Sequence, residues 1–236
     1  MIRPFPTSPI LMFDSTSIEE LLRDCVRSGP EQIPVLEPCR VIAAPTGLTA
    51  FDRVNDRTPS SNAAHFYVSD HKLPRVAKHP HRYASRLGGL QSVLTPDFSI
   101  YREMKRHQRI GHTYLSRALG VIFQRHGLDV IPSIRWSTSD DFDFSFEGVP
   151  VGSTVAVSTH GCSRSPTDKF DFRRGMIELI GRLTPERVLV HGPFPDSIFR
   201  GLDDRTELIS YESEITSSRM PHRKRSDDPR LPLVSN

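Results

Sequence analysis

Short apolar runs alternate with longer helical periodicities along most of the chain, and the clearest case lies at 93–161. Residues 93–95, 129–136 and 153–158 are strand-like, and 104–126 carry apolar side chains at helical spacing. Each strand-like run leads directly into polar groups. The pattern predicts strand, long helix, strand, acidic loop and strand, with chemistry gathered at one end of a sheet.

Further elements are predicted on both sides of this stretch. We expect a helix that begins after Ser17 and ends at Gly29, and other helices at 80–90, 170–183 and 197–202. Strands are expected at 33–36, 41–44, 66–69, 187–190 and 207–209.

The alternation of these elements indicates the fold class. About eight strand-like runs, most of them separated by helices, favour parallel pairing through right-handed crossovers. The predicted fold is α/β, an irregular or minimal (β/α) TIM-like barrel, and the alternative is an open doubly wound parallel sheet. We expect a flexible arm at 1–16, a single domain at 17–212 and a disordered basic tail at 213–236.

Composition adds limits to this picture. A chain of 236 residues with 25% charged and 36% hydrophobic positions is typical of a globular protein, and its net charge of +3 does not by itself indicate nucleic-acid binding. No apolar run is long enough to span a membrane. The cysteines, Cys25, Cys39 and Cys162, form no CxxC pair. This cysteine usage predicts a reducing cytosol and neither a disulfide framework nor a cysteine-rich zinc site.

Candidate catalytic groups lie where the predicted strands end. In a parallel sheet these ends share one edge, so Asp70, Asp97 and Asp140 could supply carboxylates for a divalent metal or for acid–base chemistry. His160 and His191 follow strands in the same way and could transfer protons. The alternative for Asp97 is a turn cap, and the alternative for Asp140 is a solvated acidic loop.

Other residues are candidates for substrate binding. Ser99, Tyr101 and Ser158 lie at the same predicted edge, and Trp136 is either a core residue or a stacking surface there. Arg117 lies on the apolar face of the long helix and needs a carboxylate or phosphate partner, unless it extends to solvent.

Two loops stay open to more than one interpretation. Residues 137–150 are either a lid or a wall of the site, and the alternation of Phe142, Phe144 and Phe146 suits a short strand or a flap. The polar loop at 163–165 would suit an anionic substrate. The chain lacks a P-loop, a GxGxxG turn, HExxH and GxSxG, so no established motif names the reaction.

A set of short motifs resembles the family catalogued as domain of unknown function 4417, over about 93–192. The matching positions are 94–99, Tyr101, Met104, Tyr114, 117–120, 130–132, Trp136, 142–144, Phe146, 148–150, 155–158, Gly161 and Gly192. The long helix departs from the family pattern, which usually has Pro, Gln, Asn and Arg at the positions of Lys105, Arg109, His112 and Leu115. The resemblance implies a phage or mobile-element setting and brings no established activity.

Three functions from different classes fit these observations. The first is an enzyme that acts on a nucleotide or nucleic acid at the strand ends. Its catalytic groups would be Asp97, Asp140 and His160, and a divalent metal could assist the reaction. The second is a non-catalytic DNA-binding or replication accessory protein that uses the basic tail. The third is a phage structural or host-interaction protein.

Overall fold

The computed structural model describes residues 15–40, 42–162 and 165–213, with the backbone alone for 15–17. Parts of the sequence predictions lie outside these ranges, namely 1–14 of the predicted arm, 214–236 of the predicted tail, Val41, Ser163 and Arg164. The division into arm, single domain and tail therefore stays a prediction.

The described residues form a mixed α/β structure. Its strands are β1 (Arg27–Ser28), β2 (Ile33–Pro34), β3 (Leu48–Ala50), β4 (Ala63–His65), β5 (Ser92–Leu94), β6 (Val130–Ile131), β7 (Val155–Ser158), β8 (Arg187–His191) and β9 (Glu207–Tyr211). Its helices are α1 (Ser15–Leu21), α2 (Pro74–Lys78), α3 (Pro80–Leu87), α4 (Arg106–Arg125), α5 (Pro166–Leu183) and α6 (Asp196–Phe199). None of these helices combines the length and hydrophobicity that a membrane span requires.

The strands from β3 onward are parallel and follow one another in chain order. A four-stranded sheet runs β3–β4–β5–β6, and a three-stranded sheet runs β7–β8–β9. A parallel bridge between Ser133 and Ala156 joins the two, supported by the Ile134 amide that donates to the Ala156 carbonyl at 2.8 Å. Parallel pairing and the α/β class are thus confirmed. Among the described residues no pairing joins β9 to β3, so a closed barrel is not shown.

Both faces of the sheet are buried, as expected for parallel strands with near-continuous apolar sequences. Val93 and Val130 face the cluster that holds α3 and α4, whereas Val155 and Val188 face the cluster that holds α5. The alternate residues of the strands form a third cluster on the opposite face, made of Ala63, Leu94, Ile131, Ala156 and Leu189.

The long helix α4 lies close to its predicted bounds of 104–126. Its first turn is held by Gln108, whose side chain accepts a hydrogen bond from the Lys105 amide at 3.1 Å. The helix ends before Gly127, whose φ of 82° is the left-handed conformation that terminates helices and favours glycine. The buried face packs against the sheet, which explains the broad apolar stripe in the sequence.

Several predicted boundaries near the amino terminus are wrong. The first helix ends at Leu21, and Arg27–Ser28 instead pairs antiparallel with Ile33–Pro34, so Gly29 belongs to a hairpin. The described residues of the predicted strand 41–44 form no strand, and β3 begins at Leu48. The predicted strand 66–69 is displaced, because pairing occurs at Ala63–His65. Pairs this short are set by tertiary contacts and not by residue preference.

The acidic loop 137–150 is neither a strand nor a flap. It contains a 3-10 turn at Ser139–Asp141, and Asp141 is fully buried, where it accepts hydrogen bonds from the Ser137 amide at 2.7 Å and from the Ser137 hydroxyl at 2.6 Å. Phe142, Phe144 and Phe146 are all buried. Packing of the three rings, and not strand pairing, accounts for their alternation.

Close packing of α5 against the sheet gives a test of the fold. A Cβ at Gly175 would lie 2.0 Å from Cε2 of Trp136, whereas nothing lies within 4 Å of a Cβ at Gly181 in the same helix. We expect Gly175→Ala to lower the free energy of unfolding by about 1–3 kcal/mol through overpacking.

The matched control is Gly181→Ala, which should be neutral or raise the free energy of unfolding by up to about 1 kcal/mol, because alanine favours the helix. Urea unfolding followed by circular dichroism measures both. Equal effects at the two positions would contradict this packing of α5.

Candidate functional site

A pocket of about 820 Å³ opens at the carboxyl ends of β4, β5, β6 and β7. We call it the rim pocket; it is formed by the segments 67–71, 97–103, 135–137 and 158–162 with the start of α5. Most of the predicted site residues line it, namely Asp97, Ser99, Tyr101, Trp136, Ser158 and His160. The parallel strands explain this, because they deliver their following residues to the same edge.

A buried ion pair forms the base of the rim pocket. Nη2 of Arg135 donates to Oδ2 of Asp97 at 2.5 Å, and Nε lies 3.0 Å from both carboxylate oxygens. Asp97 is 5% exposed, and the Ser133 hydroxyl also reaches its Oδ1 at 3.4 Å. Sequence reasoning missed Arg135; the available signal was an arginine at the end of a strand-like run that neighbours the strand before Asp97.

Asp70 lies beside this pair with a different environment. The Ser99 amide and hydroxyl both donate to Oδ1 of Asp70, at 3.3 and 3.0 Å. Burial raises the pKa of Asp70, and the nearby negative charge of Asp97 adds to this increase. Ser99 is itself held by His112, whose Nδ1 lies 2.6 Å from the Ser99 carbonyl oxygen. Asp70 is therefore a partly buried carboxyl group that favours its protonated form more than an ordinary aspartate.

Residues 158–162 form another wall of the pocket. His160 is exposed, and its amide donates to the Ser158 hydroxyl at 3.2 Å. Cys162 is half-buried, and its Sγ accepts a long hydrogen bond of 3.8 Å from Nη1 of Arg135. His160 thus lies on the solvent side of the pocket, and Cys162 lies toward its base.

The aromatic candidates divide into a core residue and a mouth residue. Trp136 is 5% exposed, donates from Nε1 to the Asp171 carbonyl at 3.3 Å and packs on Phe172 with ring centroids 5.1 Å apart. Tyr101 is 48% exposed. Of the two, only Tyr101 offers a broad open face to a ligand.

Three predicted residues do not line the rim pocket. Asp140 is exposed on its 3-10 turn. His191 is buried beneath the pocket, where its Nδ1 lies 3.4 Å from the Ser158 hydroxyl. Arg117 is 1% exposed and donates to the carbonyls of residues Ser133, Ser145 and Glu147 at 2.8–3.1 Å. Arg117 thus donates these hydrogen bonds to backbone oxygens and not to Asp97, and its side chain is not open to solvent.

A stack of rings lies under the pocket on the same face of the sheet. The His191 ring centroid is 4.6 Å from that of His65 and 4.8 Å from that of Tyr67. Burial lowers the pKa of His65 to about 3 and that of His191 to about 4. A neighbouring histidine adds to each decrease: His191 for His65, and His160 for His191. Burial also raises the pKa of the Tyr67 phenol. All three rings are therefore neutral at physiological pH.

The predicted divalent metal gains no support from the geometry. Within the described ranges, no three histidine, cysteine, aspartate or glutamate side chains converge in a way that could hold a metal ion. Asp97 is bound by Arg135 and Asp140 lies outside the pocket. The metal stays a prediction from the sequence.

Comparisons with known proteins identify relatives of this chain. The family model described as Domain of unknown function (DUF4417) matches residues 26–212, a wider range than the motifs alone indicate. The "Gene 1 protein" of Mycobacterium phage D29 is 36% identical over 168 residues, which cover 70% of this chain and 62% of that protein. The "Gene 1 protein" of Mycobacterium phage L5 is 36% identical over 166 residues, with 70% and 72% covered. No solved structure matches.

The match to the D29 protein spans less than two thirds of its length.

The buried histidines give a testable dependence of stability on pH. Their pKa values in the folded protein lie below the ordinary value of 6.5, so the unfolded chain binds these protons first as the pH falls. The contribution of the two neutral histidines to the free energy of unfolding is complete above about pH 6.5 and is lost as the pH falls toward 4. The variant His191→Phe keeps a ring in the stack but has no proton to bind. Between pH 6.5 and 4 we expect its free energy of unfolding to fall by about 3 kcal/mol less than that of the wild type.

Urea unfolding at a series of pH values measures this effect, and the exposed His107→Phe serves as control. If the free energy of unfolding falls equally with pH in wild type and His191→Phe, the pKa of His191 is not lowered in the folded state.

Proposed function

The chain belongs to the family described as Domain of unknown function (DUF4417), and on that premise we propose that it is a phage enzyme whose active site is the rim pocket. The observation that carries the proposal is Asp70, a carboxyl group with a raised pKa, held by Ser99 next to the buried Asp97–Arg135 pair. Perturbed carboxyl groups in a pocket at strand ends are typical of acid–base sites.

Asp70 is the proposed general acid or base. Within the described residues both of its hydrogen bonds come from Ser99 and go to Oδ1, so Oδ2 is the oxygen that would exchange a proton with a ligand. The Asp97–Arg135 pair fixes the electrostatic field beside it, because a buried pair with three short contacts does not reorganise easily. His160 is the proposed second proton-transfer group, on the solvent side.

The proposed substrate is a nucleotide or a component of nucleic acid. A volume of about 820 Å³ lies within the range of small-ligand sites, and it suits a nucleoside or one extruded base but not a duplex. Tyr101, half-exposed at the mouth, can stack on a base. Because the two relatives are phage proteins, we propose that the substrate belongs to this class and that the reaction takes place in the cytoplasm of the host cell.

The same proposal takes the sheet to be an irregular (β/α) barrel. In support of this, β4 to β8 each contribute one residue to the cluster of Ala63, Leu94, Ile131, Ala156 and Leu189, which resembles an interior layer of a barrel. The Tyr211 hydroxyl on β9 donates to the Pro45 carbonyl at 2.7 Å, near the start of β3. This single hydrogen bond, between a residue of β9 and a residue just before β3, supports the barrel that we propose.

Asp70→Asn tests the proposed role of Asp70. The amide keeps the shape of the side chain but cannot transfer the proton, so we expect turnover to fall by about 100-fold or more. Stability should be unchanged or higher, because burial disfavours the ionised carboxylate that the variant removes. The assay is liquid chromatography with mass spectrometry of a mixture of nucleosides, nucleotides and a single-stranded oligonucleotide after incubation with the protein.

The matched control is Asp204→Asn, an exposed position outside the rim pocket. If Asp70→Asn consumes the same components at the wild-type rate, Asp70 is not the catalytic acid or base. If the wild type consumes none of them and none raises its melting temperature, the proposed substrate class is wrong.

A further inference from the structure

Among the residues that the structure describes, the rim pocket is lined by more carboxylates than cationic side chains. These described residues supply two guanidinium groups, Arg102 and Arg135, and five carboxylates, Asp70, Asp97, Glu103, Asp168 and Asp171. His71 and His160 also line the pocket. Arg117 behind the base adds one positive charge, and the charge balance of these described groups remains negative.

Both lining guanidinium groups already have carboxylate partners. Arg135 binds Asp97 with a contact of 2.5 Å, and Arg102 binds Asp171 with a contact of 2.6 Å. Among the residues that the structure describes, no basic side chain forms an ion pair with Asp70, and none does so with Glu103. The unmatched groups that face the pocket are thus carboxylates.

The helix that borders the pocket does not offer an anion site. The first turn of α5 is closed by its own side chains, since the Ser165 hydroxyl accepts from the Asp168 amide at 3.1 Å and Asp168 accepts from the Ser165 amide at 3.0 Å. The carboxylate of Asp168 also occupies the position where an anion would gain from the helix dipole. A phosphate there would meet a like charge.

Aromatic rings complete the lining. Tyr67, Tyr101, Trp136 and Phe172 contribute to the same pocket as the carboxylates, and of these rings Trp136 and Phe172 are buried whereas Tyr101 is 48% exposed. The faces of such rings carry negative electrostatic potential and attract cations, and a carboxylate close to a ring adds a direct charge partner. Carboxylates and aromatic rings in one pocket are the side chains that recognise ammonium and amidinium groups.

We propose that the rim pocket recognises the cationic part of its ligand, an ammonium, an amidinium or a protonated or alkylated nucleobase, and does not bind a phosphate. This inference rests on the proposed function only in taking the rim pocket as the ligand site. Asp70 and Glu103 are the charge partners, and Tyr101 covers the cation at the mouth. In a nucleotide substrate, the base would enter the pocket and the phosphate would stay in solvent.

Two series of matched probes test this proposal by isothermal titration calorimetry. The first is 1-methyladenosine, adenosine and adenosine 5′-monophosphate, which are cationic, neutral and anionic on one scaffold. The second is benzamidine, benzamide and benzoate, which tests charge without a nucleoside. In any series whose probes bind, we expect the cation to bind at least about tenfold more tightly than its neutral counterpart.

Variants assign the effect to the pocket. Asp70→Asn combined with Glu103→Gln should reduce the preference for the cation to about threefold or less, whereas Asp204→Asn should leave it unchanged. Tyr101→Leu should weaken the cation more than the neutral probe, because leucine keeps apolar contact but has no ring face.

The outcomes separate this inference from the proposed function. A preference for benzamidine without nucleoside binding supports the cation site and contradicts the nucleoside class. Equal affinity for the three nucleoside probes contradicts the cation site and leaves the substrate class standing. Tighter binding of adenosine 5′-monophosphate or benzoate, or no binding in either series, overturns the cation site.

Discussion

The side chain of Arg117 holds together three parts of the fold that the site depends on. From α4 it donates to the carbonyl of Ser133, next to β6, and to the carbonyls of Ser145 and Glu147 in the loop beyond. Burial lowers its pKa to about 10, so the guanidinium stays charged at neutral pH. Replacing such a group leaves several buried carbonyls unsatisfied, and each costs about 1–3 kcal/mol.

A second guanidinium extends this framework to the pocket. Arg135 lies two residues after Ser133 and holds Asp97, which follows the neighbouring strand β5. The base of the rim pocket is thus fixed by hydrogen bonds that begin in the helix layer and continue through the sheet. Asp70 and Ser99 are positioned against this base, which explains how short strands can hold chemical groups in a defined geometry.

The sequence predicted the long periodic elements and the edge of the sheet at which the rim pocket opens. Helix α4 and strands β7 and β8 carry enough apolar residues for their type to be read directly, and Asp97 and His160 follow from the rule of strand ends. The predicted position of strand β4 was wrong because the residues of Ala63–His65 have no strand preference of their own.

Contacts between distant residues could not be predicted from the sequence. Nothing in the acidic loop distinguishes Asp140, which is exposed, from Asp141, which is buried and bound to Arg109. The partners of Arg117 are backbone carbonyls, which carry no signal in the sequence. The pairing of Arg135 with Asp97 depends on the register of β5 and β6.

The ion pair between Arg102 and Asp171 differs in kind from the pair at the base. Arg102 is 51% exposed, so the contact contributes little to stability and weakens as salt concentration rises. It connects the segment after β5 to helix α5, two walls of the pocket that the buried pair does not join. The base of the rim pocket is therefore held more rigidly than its opening. Under the proposed function, Asp70 would keep its position while the opening adjusts to ligands of different width.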